Sequence, residues 1–142
     1  MKKVLLLFPP EWVPTAPYLA LPSITAVLRQ NGIAVVQKDI NVEMYDHIFT
    51  RGFLMFIKGR IEDRLKGLRE KARMGAATAE ERELKKMLKA YSYIDLEHHI
   101  AKVEQAKEIM RGPEFYDIVK AEESLNAFRE VMEYVSAAYY PA

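Results

Sequence analysis

The chain has 142 residues, enough for one domain with a modest core. Its 21 Lys and Arg stand against 20 Asp and Glu, so no global field selects nucleic acid or an acidic membrane surface as a partner. It has no cysteine, which excludes a disulfide, a thiol nucleophile and thiolate ligation of an iron–sulfur cluster by this polypeptide.

The first predicted element is the apolar run VLLLF at 4–8, of strand length and closed by Pro9 and Pro10. The preceding Met-Lys-Lys and this run are too short for a secretion signal, and no other stretch reaches transmembrane length. A cytoplasmic protein without a membrane partner is expected. Next, Leu21, Ile24, Val27 and Leu28 recur at helical spacing, and Asn31 with Gly32 forms a C-terminal stop. A second strand is read at 33–36, ended by Gln37, Lys38 and Asp39. Two such runs joined by a helix make a right-handed crossover between parallel strands. Parallel strands are apolar on both faces because helices cover both sides, and two strands alone leave much of that surface open. The first 41 residues therefore read as the start of something larger.

These residues also carry a resemblance. Phe8, Pro9 and Pro10 end the first strand; Tyr18, Leu19, Ala20, Leu21, Pro22 and Ser23 lead into the helix; Asn31 and Gly32 stop it; and Asp39, Ile40 and Asn41 close the second strand. Together they resemble the amino terminus of cobalamin-binding radical S-adenosylmethionine enzymes. The resemblance implies that 1–41 opens a Rossmann-like cobalamin domain, with Phe8, Pro9, Pro10, Tyr18, Leu19, Leu21, Pro22 and Ser23 forming one wall of the cobalamin site. The 4Fe-4S cluster and S-adenosylmethionine would be held by the remainder of the parent enzyme, where a Cys-x-x-x-Cys-x-x-Cys motif is expected. The Asp-x-His-x-x-Gly signature of histidine-ligated cobalamin proteins has no match, so cobalamin would take no axial histidine from this segment.

The loop itself is informative without the resemblance. It has no glycine between Pro9 and Leu21, so a backbone cradle for a pyrophosphate is not expected. Trp12, Val13, Tyr18 and the prolines instead make a stiff apolar surface at the carboxyl end of the first strand, where open α/β sheets place ligands. A large, flat, mostly hydrophobic ring suits it. The same residues could equally serve only to cover the sheet end.

After Asn41 the composition shifts to good helix formers, and no further strand is read. A helix over 42–58 would bury Met44, Ile48, Phe53 or Leu54, and Ile57; another over 60–73 would bury Ile61, Leu65 and Leu68, with Gly59 between them. Met74, Gly75, Ala76 and Ala77 form a break. Thr78 and Glu81 then stand at capping-box spacing before Leu84, Met87, Leu88 and Tyr91. Ser92 with Asp95 repeats that spacing ahead of Leu96, Ile100, Val103 and Ala106, and Pro113 fits the first turn of a last helix carrying Phe115, Ile118, Val119, Leu125, Phe128, Met132 and Val135. The fold class expected is thus a single βαβ with an incomplete parallel sheet over 1–41, followed by a mainly helical insertion or bundle over 42–142.

Catalytic chemistry is not signalled. His98 and His99 are adjacent, so on a helix they project about 100° apart and do not clasp one ion. Glu43 and His47 are one turn apart but make only half a metal site. The serines lack a Gly-x-Ser-x-Gly setting. The expected function is that of a non-catalytic amino-terminal piece of a cobalamin-dependent radical enzyme, whose partner is the rest of that enzyme. The alternative is a stand-alone helical interaction or regulatory domain that completes its sheet by forming a homo-oligomer, because unpaired strand edges invite pairing.

Overall fold

The computed structural model describes residues 3–9 and 19–140. The chain divides into two compact units, Met1–Ile48 and Phe49–Ala142. The first holds a short parallel sheet and the second is helical.

In the first unit, β1 (Lys3–Phe8) and β2 (Ala34–Asp39) pair in parallel, from Lys3 opposite Ala34 to Phe8 opposite Asp39. The helix α1 (Ala20–Gln30) connects them. β2 extends three residues past the expected 33–36 run because the ladder with Leu6, Leu7 and Phe8 continues through Gln37, Lys38 and Asp39. Backbone pairing tolerates polar side chains where a face is open. Gly32, at φ +71°, takes the left-handed position after α1, and the amide of Ile33 donates to Leu28 O at 3.0 Å, so the Asn31–Gly32 stop is built as read.

Alternation assigns the faces. Val4, Leu6 and Phe8 are half-buried on one side. On that side α1 is tied to β2 by the Thr25 hydroxyl, which donates to Gln37 Oε1 at 2.9 Å. The buried residues of α1 are Leu21 and Thr25, while Ile24 and Val27, read as part of its apolar face, are exposed. On the other side Leu5, Leu7 and Val36 are 57%, 50% and 53% exposed, so this sheet face is apolar and open. A short helix, α2 (Ile40–Ile48), follows β2 directly, with Val42 N donating to the Asp39 carboxylate at 3.1 Å.

The second unit consists of α3 (Arg51–Arg73), α4 (Ala79–Tyr91), α5 (Leu96–Arg111), a 3-10 turn at Pro113–Tyr116 and α6 (Ile118–Ala137). The expected helix over 42–58 is interrupted at Phe49 and Thr50. Thr50 caps α3 by accepting from Phe53 N, Phe49 is buried and stacked on Phe128 at 4.8 Å, and Lys107 Nζ donates to Phe49 O at 2.7 Å. α3 then runs without a break through Gly59, burying Leu54, Ile57, Ile61 and Leu65 at helical spacing.

The Thr78–Glu81 capping box forms reciprocally at the start of α4. At α5 the cap is Asp95, which accepts from His98 N; Ser92 instead lies at the C-terminus of α4. Pro113 opens the 3-10 turn, and α6 starts five residues later under an Asp117 cap that accepts from Val119 N and Lys120 N. Phe115, Ile118 and Val119, expected in the core, are consequently exposed.

The buried stripe of α6 is Ser124, Ala127, Val131 and Tyr134 with Val135, one residue out of register with the expected Leu125, Phe128 and Met132. Small residues explain this. Ser124 and Ala127 lie in the same groove lining as Ala106, where a short side chain lets α5 and α6 approach, and the Ser124 hydroxyl is satisfied by Lys120 O at 2.8 Å.

Candidate functional site

The sheet end where the expected cofactor wall lies is built from β1, β2 and the first turn of α1. α1 closes onto the amino end of β2 through Asn31–Gly32, and its Thr25 reaches Gln37, the fourth residue of that strand. It therefore runs antiparallel to the strands, with Leu19 to Ser23 toward their carboxyl ends. Phe8 is the last residue of β1, half-buried and opposite Asp39. Pro9 is exposed and Leu19 is 69% exposed. Leu21 is buried, Pro22 and Ser23 are exposed, and Ser23 Oγ donates to Leu19 O at 2.7 Å. That bond satisfies the hydroxyl within its own turn. Pro10 and Tyr18 lie outside the described residues, as do Trp12 and Val13.

The described part of this end is thus mostly apolar: Pro9, Leu19 and Pro22 are exposed beside Ser23, Phe8 is half-buried and Leu21 is buried. Among the described residues, this end is an exposed apolar surface rather than a row of backbone donors. The polar residues beside it are already engaged. Asp39 accepts from Val42 N, and Lys38 pairs with Glu43 at 3.1 Å. Asn41 is buried and partnered. The sequence reading missed Thr25 and Asn41 as the buried polar groups of this unit. Thr25 falls one turn after Leu21, the only signal that it shares the buried stripe.

Elsewhere among the described residues, Glu43, His47, His98 and His99 are engaged in ion pairs or other contacts. Glu43 is occupied by Lys38, and His99 Nδ1 lies 3.4 Å from Glu130, which Lys102 approaches at 3.9 Å. Among the described residues no three His, Cys, Asp or Glu side chains converge as metal ligands, and no buried side-chain nitrogen or oxygen lacks a hydrogen-bond partner. Between α5 and α6 a groove of about 380 Å³ is floored by Ala106 and Ala127 and rimmed by Lys102, Gln105, Asn126 and Glu130. Its rim residues are surface groups. Burial, with a smaller contribution from Glu62, pushes the Tyr134 phenol up to about 12, which makes it a poor acid.

Among the described residues, no helix is long and apolar enough to cross a membrane. Comparison of the chain with protein-family models, with curated proteins and with solved structures finds no match.

Proposed function

We propose that this chain is an amino-terminal piece of a cobalamin-dependent radical S-adenosylmethionine enzyme, and that its βαβ unit contributes one wall of the cobalamin site. The observation that carries the reading is the sheet. It is parallel and two-stranded, one face is covered by α1, and the other presents Leu5, Leu7 and Val36 to solvent. A parallel sheet is a buried structure, so an open apolar face marks a surface that further βα units cover. Phe8, Pro9, Leu19, Leu21, Pro22 and Ser23, with Pro10 and Tyr18, would line the corrin edge by apolar contact. Cobalamin would supply the organometallic chemistry, while the cluster and S-adenosylmethionine would belong to the rest of the enzyme.

A corrin site shared among several βα loops loses most of its contacts when one loop stands alone. Titration of this chain with hydroxocobalamin should therefore give a weak spectral change or none. A tight, stoichiometric shift would contradict the shared-site argument. The family reading is tested separately by the encoding reading frame. A continuation into βα units and Cys-x-x-x-Cys-x-x-Cys supports it, and a stop codon after Ala142 opposes it.

A second reading is favoured by a different observation. Phe115, Tyr116, Ile118 and Val119 are 46%, 86%, 82% and 64% exposed around the start of α6. A cluster of that kind belongs to an interaction surface, as in a helical module that self-associates.

A further inference from the structure

Two apolar patches on this chain have borders of opposite charge. The first is the open face of the sheet. Alternation along β1 sets Lys3 on the same face as Leu5 and Leu7, and the register sets Val36 opposite Leu5 and Lys38 opposite Leu7. Three exposed aliphatic side chains therefore lie between a lysine at each end. Lys38 shares its charge with Glu43 at 3.1 Å, whereas among the described residues no carboxylate forms an ion pair with Lys3.

The second patch is the tip between α5 and α6. The 3-10 turn at Pro113–Tyr116 and the Asp117 cap delay the start of α6, and Phe115, Tyr116, Ile118 and Val119 are left exposed. Around them stand the carboxylates of Glu114, Asp117, Glu122 and Glu123, against the single ammonium of Lys120, which Glu114 engages. Asp117 accepts from the amides of Val119 and Lys120 without losing its charge. The tip is thus apolar with an acidic border, and the sheet face is apolar with a basic one.

We propose that the α5–α6 tip of one copy of this chain docks on the open sheet face of a second copy, its acidic border set against the lysines. Charge decides between the possible pairings. Tip against tip crowds carboxylates together and face against face crowds lysines, while tip on face brings opposite charges to the rim of an apolar contact. The inference rests on the self-association reading, and it fills the sheet face that the cobalamin reading gives to further βα units. Where each copy both gives and receives a tip, the pair closes as a symmetric dimer; where the tip passes to a third copy, the assembly stays open.

The test is sedimentation velocity of the chain across a concentration series, beside Ile118→Asp, Leu5→Asp and Lys3→Glu. Ile118 is exposed at the first turn of α6, where an added carboxylate favours the helix, so Ile118→Asp keeps the fold. Association should weaken about tenfold or more in Ile118→Asp and in Leu5→Asp, and about threefold in Lys3→Glu. An equimolar mixture of Ile118→Asp and Leu5→Asp should associate more tightly than either alone, because the first keeps its face and the second its tip. A tip-to-tip contact leaves Leu5→Asp associated, and strand-edge pairing leaves Ile118→Asp associated; either result overturns the proposal while self-association stands. Unchanged association in Lys3→Glu also overturns it, and this variant reports on the face even if circular dichroism shows that Leu5→Asp unfolds. A parent chain that stays monomeric removes the self-association reading as well.

Discussion

Thr78 and Glu81 show how little of the chain is needed to place an element. The Thr78 hydroxyl accepts from Glu81 N and the Glu81 carboxylate accepts from Thr78 N, so two amides that the helix cannot satisfy find partners three residues apart. Thr78→Ala should cost about 1 kcal/mol of stability, measured by denaturant unfolding. The Lys71 ammonium, then the Thr78 amide, hold the Glu81 carboxyl below its ordinary value of 4.5. A depressed carboxyl stabilises the fold above its unfolded value and loses that contribution as the pH falls through the folded one. Stability should therefore drop below about pH 4.5, and less steeply in Glu81→Gln. Tyr134 behaves in the opposite sense. Its phenol is raised to about 12 from an ordinary 10.0, so its contribution is intact below pH 10 and is lost as the pH climbs toward 12. Alkaline unfolding that is unchanged in Tyr134→Phe would contradict this assignment.

At the scale of elements, what could be read in advance follows from how local the cause is. The Asn31–Gly32 stop and the Thr78–Glu81 box depend on residues within one turn of each other, and both were legible. Ile57, Ile61 and Leu65 were legible as apolar positions, but on two helices divided at Gly59 and with Phe53 and Leu54 as alternatives, where the structure has one helix burying Leu54. The break at Phe49–Thr50 was not legible. It depends on Phe128 stacking and on Lys107, both more than fifty residues away. The rotated face of α6 was hidden for a similar reason: Ser124 and Ala127 are buried because α5 comes close, while periodicity favours the larger Leu125 and Phe128. In the candidate site, Pro9 and Leu19 could be placed at the sheet end from the strand–loop–helix order, but the inward turn of Thr25 could not, since nothing in the sequence pairs it with Gln37.

Gly59 gives a sharper test at the same scale. It lies inside α3, and a Cβ added there meets nothing within 4 Å. Gly59→Ala should therefore stabilise the helical unit by roughly 0.5–1 kcal/mol. A loss of stability would show that α3 bends at this residue. Leu54→Ala, at a fully buried position of the same helix, should instead cost about 2–5 kcal/mol in the same unfolding assay.

At the scale of the whole molecule, the central claim is that the parallel sheet is not sufficient by itself. β1 carries no charge from Val4 to Phe8, its described partner is β2 alone, and Leu5 and Leu7 lie open on one face. A two-stranded pair is at best marginal in water, and helices that cover faces do not satisfy strand edges. β2 differs, since Lys38 and Asp39 near its end discourage edge pairing. With that face and those edges open, this chain alone should associate. Light scattering across a concentration series, with amide exchange of β1 measured on the same samples, tests this most directly. The account predicts a dimer or larger species whose β1 amides are protected. A strictly monomeric chain at high concentration, with both strands ordered and the Leu5–Leu7 face solvated, would contradict it.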